Sequence, residues 1–255
     1  MARPDTDIAD ASADTSPQVY ARVGGVLYLA IIAAGINGEL FVRGSIVVSG
    51  DAAATARNLV GSSALWRAGI AGDLVMHLCD VGLMLVFYVL LKPVSRNLAL
   101  LAVLFNLVQT AVLVANKLNL LLPLFLLGDA RYLDAFSPQQ LQALSYVALR
   151  THDYGFGFGL MFFGAECIVV GYLIFRSRYF PAALGILMQI AGACYLVNSF
   201  TLVLSPRLAS RLFPAILLPP FVAELSLALW LLVKGVDQTT WVARANAARL
   251  SPHQP

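Results

Sequence analysis

Charged side chains are scarce in this sequence: Asp, Glu, Lys and Arg make up 12% of its 255 residues, whereas 59% are hydrophobic. A chain of this length cannot bury so much apolar surface in one soluble core, so lipid has to cover the remainder. The mean hydropathy of +0.78 indicates the same. The net charge of +3 is small and scattered, which gives no support to a nucleic-acid partner.

Cysteine is also sparse, and the short motifs of familiar catalytic and cofactor sites are missing. The three cysteines, Cys79, Cys167 and Cys194, lie in apolar stretches, where an odd number argues against a disulfide framework. No HExxH, paired CxxC, GxSxG or P-loop occurs, so we predict neither a metal nor a cofactor. Nitrogen and oxygen ligation of a metal stays open as the alternative, through Asp73 or Asp80, His77, His152 or Asp153, and Glu166.

Long apolar runs indicate the architecture. About 20 helical residues cross the hydrocarbon layer of a membrane. The runs predict six such helices, at 22–42, 67–91, 98–127, 153–175, 181–204 and 212–233. We therefore predict an all-α, polytopic membrane bundle over residues 21–235. Residues 1–20 are polar and acidic, lack the basic start of a signal peptide and are predicted to be a disordered tail, with a C-terminal tail over 236–255.

The connections predict which helix ends share a membrane face. Two turns, at 92–97 and 176–181, are short and cationic, and an even number of helices puts both termini on their side. That face carries nine Lys and Arg residues against seven on the long-loop face, so the termini are predicted to be cytoplasmic. On the long-loop face, Asp51 and the capping box of Ser137 and Gln140 open either interfacial helices or ordinary connectors.

Ionisable residues within the predicted helices are the best sign of function, because a charge in hydrocarbon is costly and normally faces the bundle interior. Asp73, His77 and Asp80 are spaced at i, i+4 and i+7, which places them on one stripe of the second helix. Lys117 can neutralise one of the carboxylates, and Glu39 forms a structural i, i+4 pair with Arg43. Other polar residues of the predicted helices and their ends are Asn116, Asn119, His152, Asp153, Tyr154, Glu166, Asn198, Ser199 and Glu224.

Positions along the helices place most of these residues in one half of the membrane. Odd-numbered helices run toward the long loops and even-numbered ones run away, so Lys117 and Asp73 lie at similar depth. Asp80, Glu166 and Glu224 reach toward the midplane. The pattern predicts a cavity that opens toward the long-loop face and is closed toward the short turns. The alternative is that several of the amides and hydroxyls only join neighbouring helices, as polar side chains often do in membranes: Asn106, Gln109, Asn116, Asn198 and Ser199.

Three stretches of the chain carry a resemblance. They are ARVGGVLYLAIIAAGINGELFVRGSIVVSGDAAATARNL from Ala21, LCDVGLMLVFYVLLKPVSRNLALLA from Leu78, and HDYGFGFGLMFFGAECIVVGYLIFRSRYFPAALGILM from His152. Together they resemble the bacterial membrane family catalogued as domain of unknown function 4386, over roughly residues 20–235. The resemblance implies a six-helix domain in a bacterial inner membrane and brings no established reaction. Within it, GFGFG at Gly155 to Gly159 is interpreted as a site of close helix packing.

Two classes of function fit the polar pattern. The first is a membrane enzyme or binder for a lipophilic, isoprenoid-like molecule that enters from the lipid, with acid/base isomerisation or cyclisation as the chemistry. The second is a small-solute or ion-coupled transporter; one-sided polarity favours the first, because a carrier needs a route to both faces. The predicted catalytic residues are Asp73, His77, Asp80, Asp153, Glu166 and Glu224. The predicted substrate-binding residues are Trp66, Lys117, Asn119, His152, Tyr154, Phe158, Phe162 and Asn198.

Overall fold

The computed structural model describes residues 16–250, and the regular elements of that range are all helical. They are α1 (Pro17–Ile46), α2 (Ala52–Gly61), α3 (Ser63–Leu91), α4 (Arg96–Leu126), α5 (Pro138–Ser177), α6 (Ala182–Leu204), α7 (Pro206–Leu212), α8 (Ala215–Val233) and α9 (Gln238–Leu250). Six of them, α1, α3, α4, α5, α6 and α8, are long and apolar enough to cross a membrane. The fold is an all-α polytopic membrane bundle, as the sequence predicts.

The predicted helix ends are accurate on the short turns and less so elsewhere. Residues 1–15, most of the predicted disordered tail, lie outside the described range, as do residues 251–255. Within that range α1 already begins at Pro17, and α9 occupies much of the predicted C-terminal tail. Ser137 and Gln140 form the predicted capping box. The helix that they open continues without a break into the fourth predicted span, because no proline interrupts 139–177. Its 40 residues reach about 60 Å, roughly twice the hydrocarbon thickness.

The spanning helices form a closed ring in chain order. Contacts join α1 to α3, α3 to α4, α4 to α5, α5 to α6, α6 to α8, and α8 back to α1. The most extensive of these pairings, α5 with α6, is built on glycine: a Cβ at Gly164 or Gly171 would lie 2.8 Å or 2.6 Å from a backbone carbonyl of α6. Gly155 and Gly159 likewise give room to side chains of α4, and Gly157 to Leu202, so the packing interpretation of GFGFG is confirmed.

The outer surface of the bundle is apolar and its interior holds a polar stripe, whereas a soluble helical domain has a polar outer surface. On α3 the outward residues include Leu78, which is 74% exposed, and Leu85. The inward stripe of the same helix carries Asp73, His77 and Asp80, all buried. Lipid is the solvent that suits such an outer surface.

Apolar layers close the ring at both ends. Toward the short turns, the interior is filled by a large cluster that includes Phe87, Leu90, Leu173, Leu227 and Leu231. Toward the long loops, a second cluster packs beneath α2. We call it the apolar cap, and its buried members are Val42, Ile46, Leu59, Trp66, Ile70, Leu120 and Leu149.

The two ends of the described chain meet on the short-turn face. The side chain of Gln18 in α1 donates to the carbonyl of Lys234 at 2.9 Å and accepts from the backbone N–H of Val236 at 3.1 Å. In α9, Trp241 donates its indole N–H to the carbonyl of Leu90, 3.0 Å away. The start of α1 and the whole of α9 therefore lie on the same side as the two short turns, as the even helix count predicts.

Candidate functional site

A chain of buried ion pairs lies directly below the apolar cap, and we call it the rim cluster. Asp73 Oδ2 accepts from Lys117 Nζ at 2.8 Å and from Arg43 Nη1 at 2.8 Å. Arg43 Nε in turn donates to Oε2 of the exposed Glu39 at 2.8 Å. Two cations and two anions thus balance each other, and the pairing leads from the surface to a carboxylate that is 1% exposed.

Irregular helix geometry positions both cations. In α1 the backbone widens into a π-helical turn over Asn37–Arg43, and such turns are frequent at functional sites. Gly38 in this turn lets α1 approach α3, because a Cβ there would lie 2.7 Å from Asp73 Oδ1. In α4 the α-helix is interrupted at Lys117. Here the Lys117 N–H donates to the carbonyl of Val114 at 3.1 Å, a tighter turn than that of an α-helix.

Besides Ser199 Oγ on α6, three buried polar atoms around the rim cluster have no hydrogen-bond partner in the described structure: Asp73 Oδ1, His77 Nε2 and His152 Nε2. Their side chains belong to residues that are 1%, 3% and 5% exposed. Buried polar atoms are hydrogen-bonded in the great majority of native proteins, so each of these three needs an explanation. The stripe on α3 places His77 one turn below Asp73, and His152 lies within the electrostatic reach of Lys117 and Asp73.

Amides hold His152 beside Lys117. Asn116 Nδ2 donates to the backbone carbonyl of His152 at 2.9 Å, and Asn119 Nδ2 donates to Asn116 Oδ1 at 2.9 Å. The glycine at 155 makes room for this carboxamide. The histidine is therefore fixed through its backbone, while its Nε2 atom stays free for another partner.

A second polar group, which we call the middle layer, lies about two helical turns further into the bundle than the rim cluster. Asp80 Oδ2 accepts from Thr110 at 2.9 Å and from Asn106 at 3.3 Å, and the same Asn106 nitrogen reaches Glu166 Oε2 at 3.2 Å. Glu224 accepts a short hydrogen bond from the Tyr195 hydroxyl and faces Tyr28. Every spanning helix contributes to the layer, in chain order Tyr28, Asp80, Asn106 with Thr110, Glu166, Tyr195 and Glu224.

The middle layer differs from the rim cluster in charge. Asp80, Glu166 and Glu224 are all buried. Among residues 16–250, no Lys, Arg or His forms an ion pair with any of them, since the ion pairs of that range involve only Glu39, Asp73 and Asp153. Hydroxyl and amide groups are their partners. This arrangement can hold and exchange protons.

The apolar cap covers the rim cluster residue by residue. Ile46, Ile70, Leu120 and Leu149 each lie three residues from a member of the site, toward the long loops, on α1, α3, α4 and α5. A groove of about 410 Å³ lies on the long-loop face beside Ala56, Val60 and Leu127. The interior polar residues themselves are buried beneath the cap rather than lining an open cavity in this conformation.

The structure brings most, but not all, of the predicted site residues together. Asp153 is exposed and pairs with Arg150 at 2.9 Å on the outside of α5, and Phe158 is exposed on the outer surface. Trp66 belongs to the apolar cap rather than to a lipid interface, and its indole donates to the carbonyl of Leu120 at 2.7 Å. Four further predicted residues are only partly buried: Asn119, Tyr154, Phe162 and Asn198. None of them forms a hydrogen bond with Asp73 Oδ1, His77 Nε2 or His152 Nε2.

Sequence reasoning missed several contributors. Arg43 is predicted only as the partner of Glu39, whereas it also binds Asp73. It does so from the end of the π-helical turn, which the sequence pattern does not predict. Tyr28 and Tyr195 stand in apolar runs where a tyrosine is unremarkable. The one available signal is their position. Both tyrosines lie far from the ends of their helices, whereas a tyrosine at the membrane interface lies close to a helix end. Asn106, interpreted above as a link between helices, is indeed one, but the groups that it links are two carboxyls.

The donor set is not that of a metal site. Within residues 16–250, no group of three or more His, Cys, Asp or Glu side chains is arranged to hold a metal ion. The alternative metal ligands considered above are divided between the rim cluster, the middle layer and the outer surface. The arrangement is suited to hydrogen bonding and to proton transfer.

These features define a polytopic membrane bundle with ionisable groups buried inside a ring of six helices. The chain belongs to the family described as domain of unknown function DUF4386, whose model matches residues 23–235, which confirms the resemblance. It is similar to an uncharacterised protein of Archaeoglobus fulgidus, with 27% identity over 166 residues that cover 65% of this chain and 83% of the relative. No solved structure matches the chain.

Proposed function

We propose that the bundle binds a lipophilic molecule by a small polar head group and performs acid/base chemistry on it. The observation that carries the proposal is the set of three orphaned atoms, Asp73 Oδ1, His77 Nε2 and His152 Nε2, buried below the apolar cap. A bound head group with one donor and one or two acceptors would satisfy them. The charges of the rim cluster already cancel, so the head group is uncharged, and a hydroxyl supplies both the donor and the acceptors.

The remainder of the site suits the apolar part of such a molecule. The cap above the orphaned atoms consists of aliphatic side chains and Trp66. The long-loop groove lies on the far side of that cap, so entry from the groove requires the cap to part. An isoprenoid-like molecule has one polar end and an apolar chain. Its polar end would lie at the rim cluster, and its chain among the apolar side chains of the cap.

The position of His77 between the rim cluster and the middle layer suits acid/base chemistry. His77 lies one turn from Asp80 on the same face of α3, and Asp80 is connected through Asn106 to Glu166. A proton taken up at an imidazole can therefore be matched by one released from a carboxyl. An isomerisation or a cyclisation gains one proton and loses one, and needs no further reactant.

A transporter is the second candidate, and the middle layer favours it. Three buried carboxyls without a cationic partner are what a proton- or cation-coupled carrier uses. A carrier also needs a path to the opposite face, and the large apolar cluster fills that half of the ring. For that reason the lipophile-binding function is preferred.

The proposal includes a location, the plasma membrane of a bacterium, with cytoplasmic termini. Both ends of the described chain lie on the face that carries more Lys and Arg, eight against seven among residues 16–250. Fusing a reporter that is active only in the cytoplasm to either end tests the orientation.

The test of function is mass spectrometry of protein purified in nanodiscs from its own membrane, compared with His77→Gln and His152→Gln. A stoichiometric lipophile that is retained by the native protein and lost from both variants supports the proposal and identifies the substrate class. The matched control is Asp153→Asn, a neighbour of His152 on the outer surface, which should keep the ligand. Retention of the same ligand by all four proteins would refute the site. Proton-coupled uptake into liposomes with no bound lipophile would establish the carrier instead.

A further inference from the structure

A groove of arginines lies on the short-turn face, at the opposite end of the molecule from the proposed site. It encloses about 300 Å³ and is lined by Phe175 and Arg176 at the end of α5, Arg178 in the following turn, and Arg244 of α9. Because α5 ends at Ser177, the groove is located where the hydrocarbon layer meets the head groups.

The backbone holds two of these arginines in place. Arg244 Nη1 donates to the carbonyls of Arg176 and of Ser177, the latter at 2.8 Å, which fixes α9 against the end of α5. Arg178 has a φ of 65°, a left-handed conformation that glycine adopts more readily than any other residue. The chain thus keeps an arginine at a position where the backbone favours glycine.

Nothing in the described chain neutralises the groove. The ion pairs found over residues 16–250 involve Arg43, Lys117 and Arg150, all at the other end of the bundle. Arg176 and Arg178 are exposed, and Arg244 keeps free nitrogens beside its two backbone contacts. Three unpaired guanidinium groups around one small space form a site for an anion.

Guanidinium geometry and the neighbouring aromatic ring identify the anion. The planar fork of arginine matches the oxygens of a phosphate, and several arginines can share one. Phe175 is exposed immediately before Arg176, on the membrane side of the groove. We propose that the groove binds the phosphate of an anionic phospholipid, with the acyl chains passing along Phe175. Basic pockets at a membrane surface recognise lipids in this manner.

The experiment measures lipid retained by the full chain. Protein is reconstituted into phosphatidylcholine nanodiscs with and without phosphatidylglycerol, released, and examined by native mass spectrometry. The variants are Arg176→Ala and Arg178→Gly, because glycine suits the backbone of residue 178 and leaves the fold intact. Arg96→Ala is the matched control, since Arg96 is an exposed cation on the same face outside the groove.

Each groove variant is expected to lower phosphatidylglycerol retention about fivefold, and Arg96→Ala to leave it unchanged. Equal losses in all three variants, or in none, would overturn the proposal, because a diffuse positive face rather than a site would then attract the lipid. Titration of inorganic phosphate in pure phosphatidylcholine nanodiscs distinguishes the source. Binding there that both groove variants abolish would support a phosphate site for a soluble ligand; absence of binding, with lipid retention as expected, supports the lipid.

Discussion

The rim cluster and the middle layer bury carboxyl groups in the same bundle, about two helical turns apart, and stabilise them by different means. Asp73 receives two cations at 2.8 Å. Asp80 receives a hydroxyl at 2.9 Å and an amide at 3.3 Å. The first arrangement fixes the charge, because both partners are cations. The second leaves the carboxyl free to gain or lose a proton without breaking an ion pair.

Equal burial therefore does not mean equal dependence on charge. Removing one member of a buried ion pair leaves its partners as uncompensated charges, which is strongly destabilising. Replacing a carboxyl that is hydrogen-bonded by neutral groups with an amide of the same shape leaves nothing charged behind. The rim cluster is therefore expected to determine stability and the middle layer to determine chemistry.

The largest expected effect is that of Asp73→Asn. The substitution leaves Lys117 and Arg43 buried without their shared anion, so the free energy of unfolding should fall by about 3–5 kcal/mol. Titration with a denaturing detergent, followed by circular dichroism, measures it. The double variant Asp73→Asn with Lys117→Met should recover a large part of the loss, because it removes the cation that has no other anion, whereas Arg43 keeps Glu39.

A stable Asp73→Asn protein would contradict the expected difference between the rim cluster and the middle layer. If its unfolding free energy stayed within about 1 kcal/mol of that of the native protein, the rim cluster would be no more dependent on charge than the middle layer.

The next effect, by size, comes from the close approach of α1 to α3. In Gly38→Ala, the new Cβ would lie 2.7 Å from Asp73 Oδ1 and 2.9 Å from Arg43 Nη2, so the ion pairs must shift. We expect a loss of about 1–3 kcal/mol, typical of overpacking. Gly72→Ala is the control, because no atom lies within 4 Å of a Cβ there. Equal unfolding free energies for the two variants would mean that the contact at Gly38 does not constrain the rim cluster.

A smaller effect should follow Tyr195→Phe in the middle layer. The variant removes the hydroxyl that donates to Glu224 and leaves the ring, so the loss should be about 1 kcal/mol. Tyr154→Phe is a suitable control on the neighbouring helix α5. A loss of several kcal/mol for Tyr195→Phe alone would mean that Glu224 depends on this donor as Asp73 depends on its cations.

Hydropathy and helical periodicity are sufficient to predict the fold and most of the polar interior. Apolar runs of membrane length identify the six spans, and the spacing of Asp73, His77 and Asp80 places them on one buried stripe. These patterns work because lipid requires each span to satisfy its own backbone and to turn its polar side chains inward.

Pairwise contacts depend on geometry that the sequence pattern does not contain. Asp153 and His152 are adjacent in the chain, yet one is exposed and the other buried, because consecutive residues of a helix point about 100° apart. The link from Arg43 to Asp73 requires a π-helical turn, which residue periodicity cannot reveal. The closed ring likewise brings Tyr28 beside Glu224 from opposite ends of the sequence.

The smallest effect on stability is expected for Asp80→Asn. This variant tests whether Asp80 depends less on charge than Asp73 does. Asparagine keeps an oxygen that accepts from Thr110, and its amide can donate to the oxygen of Gln109 or Glu166 beside Asn106. If Asp80 is neutral in the native protein, the exchange is nearly isosteric; if it is ionised, the exchange removes a buried charge that no cation compensates. In both cases the free energy of unfolding should fall by no more than about 1 kcal/mol, measured as for Asp73→Asn. Retention of the lipophile, or turnover, should nevertheless be lost, because asparagine cannot exchange a proton with His77. A loss of stability as large as that of Asp73→Asn would require a cationic partner for Asp80, and the two layers would then be one charged network.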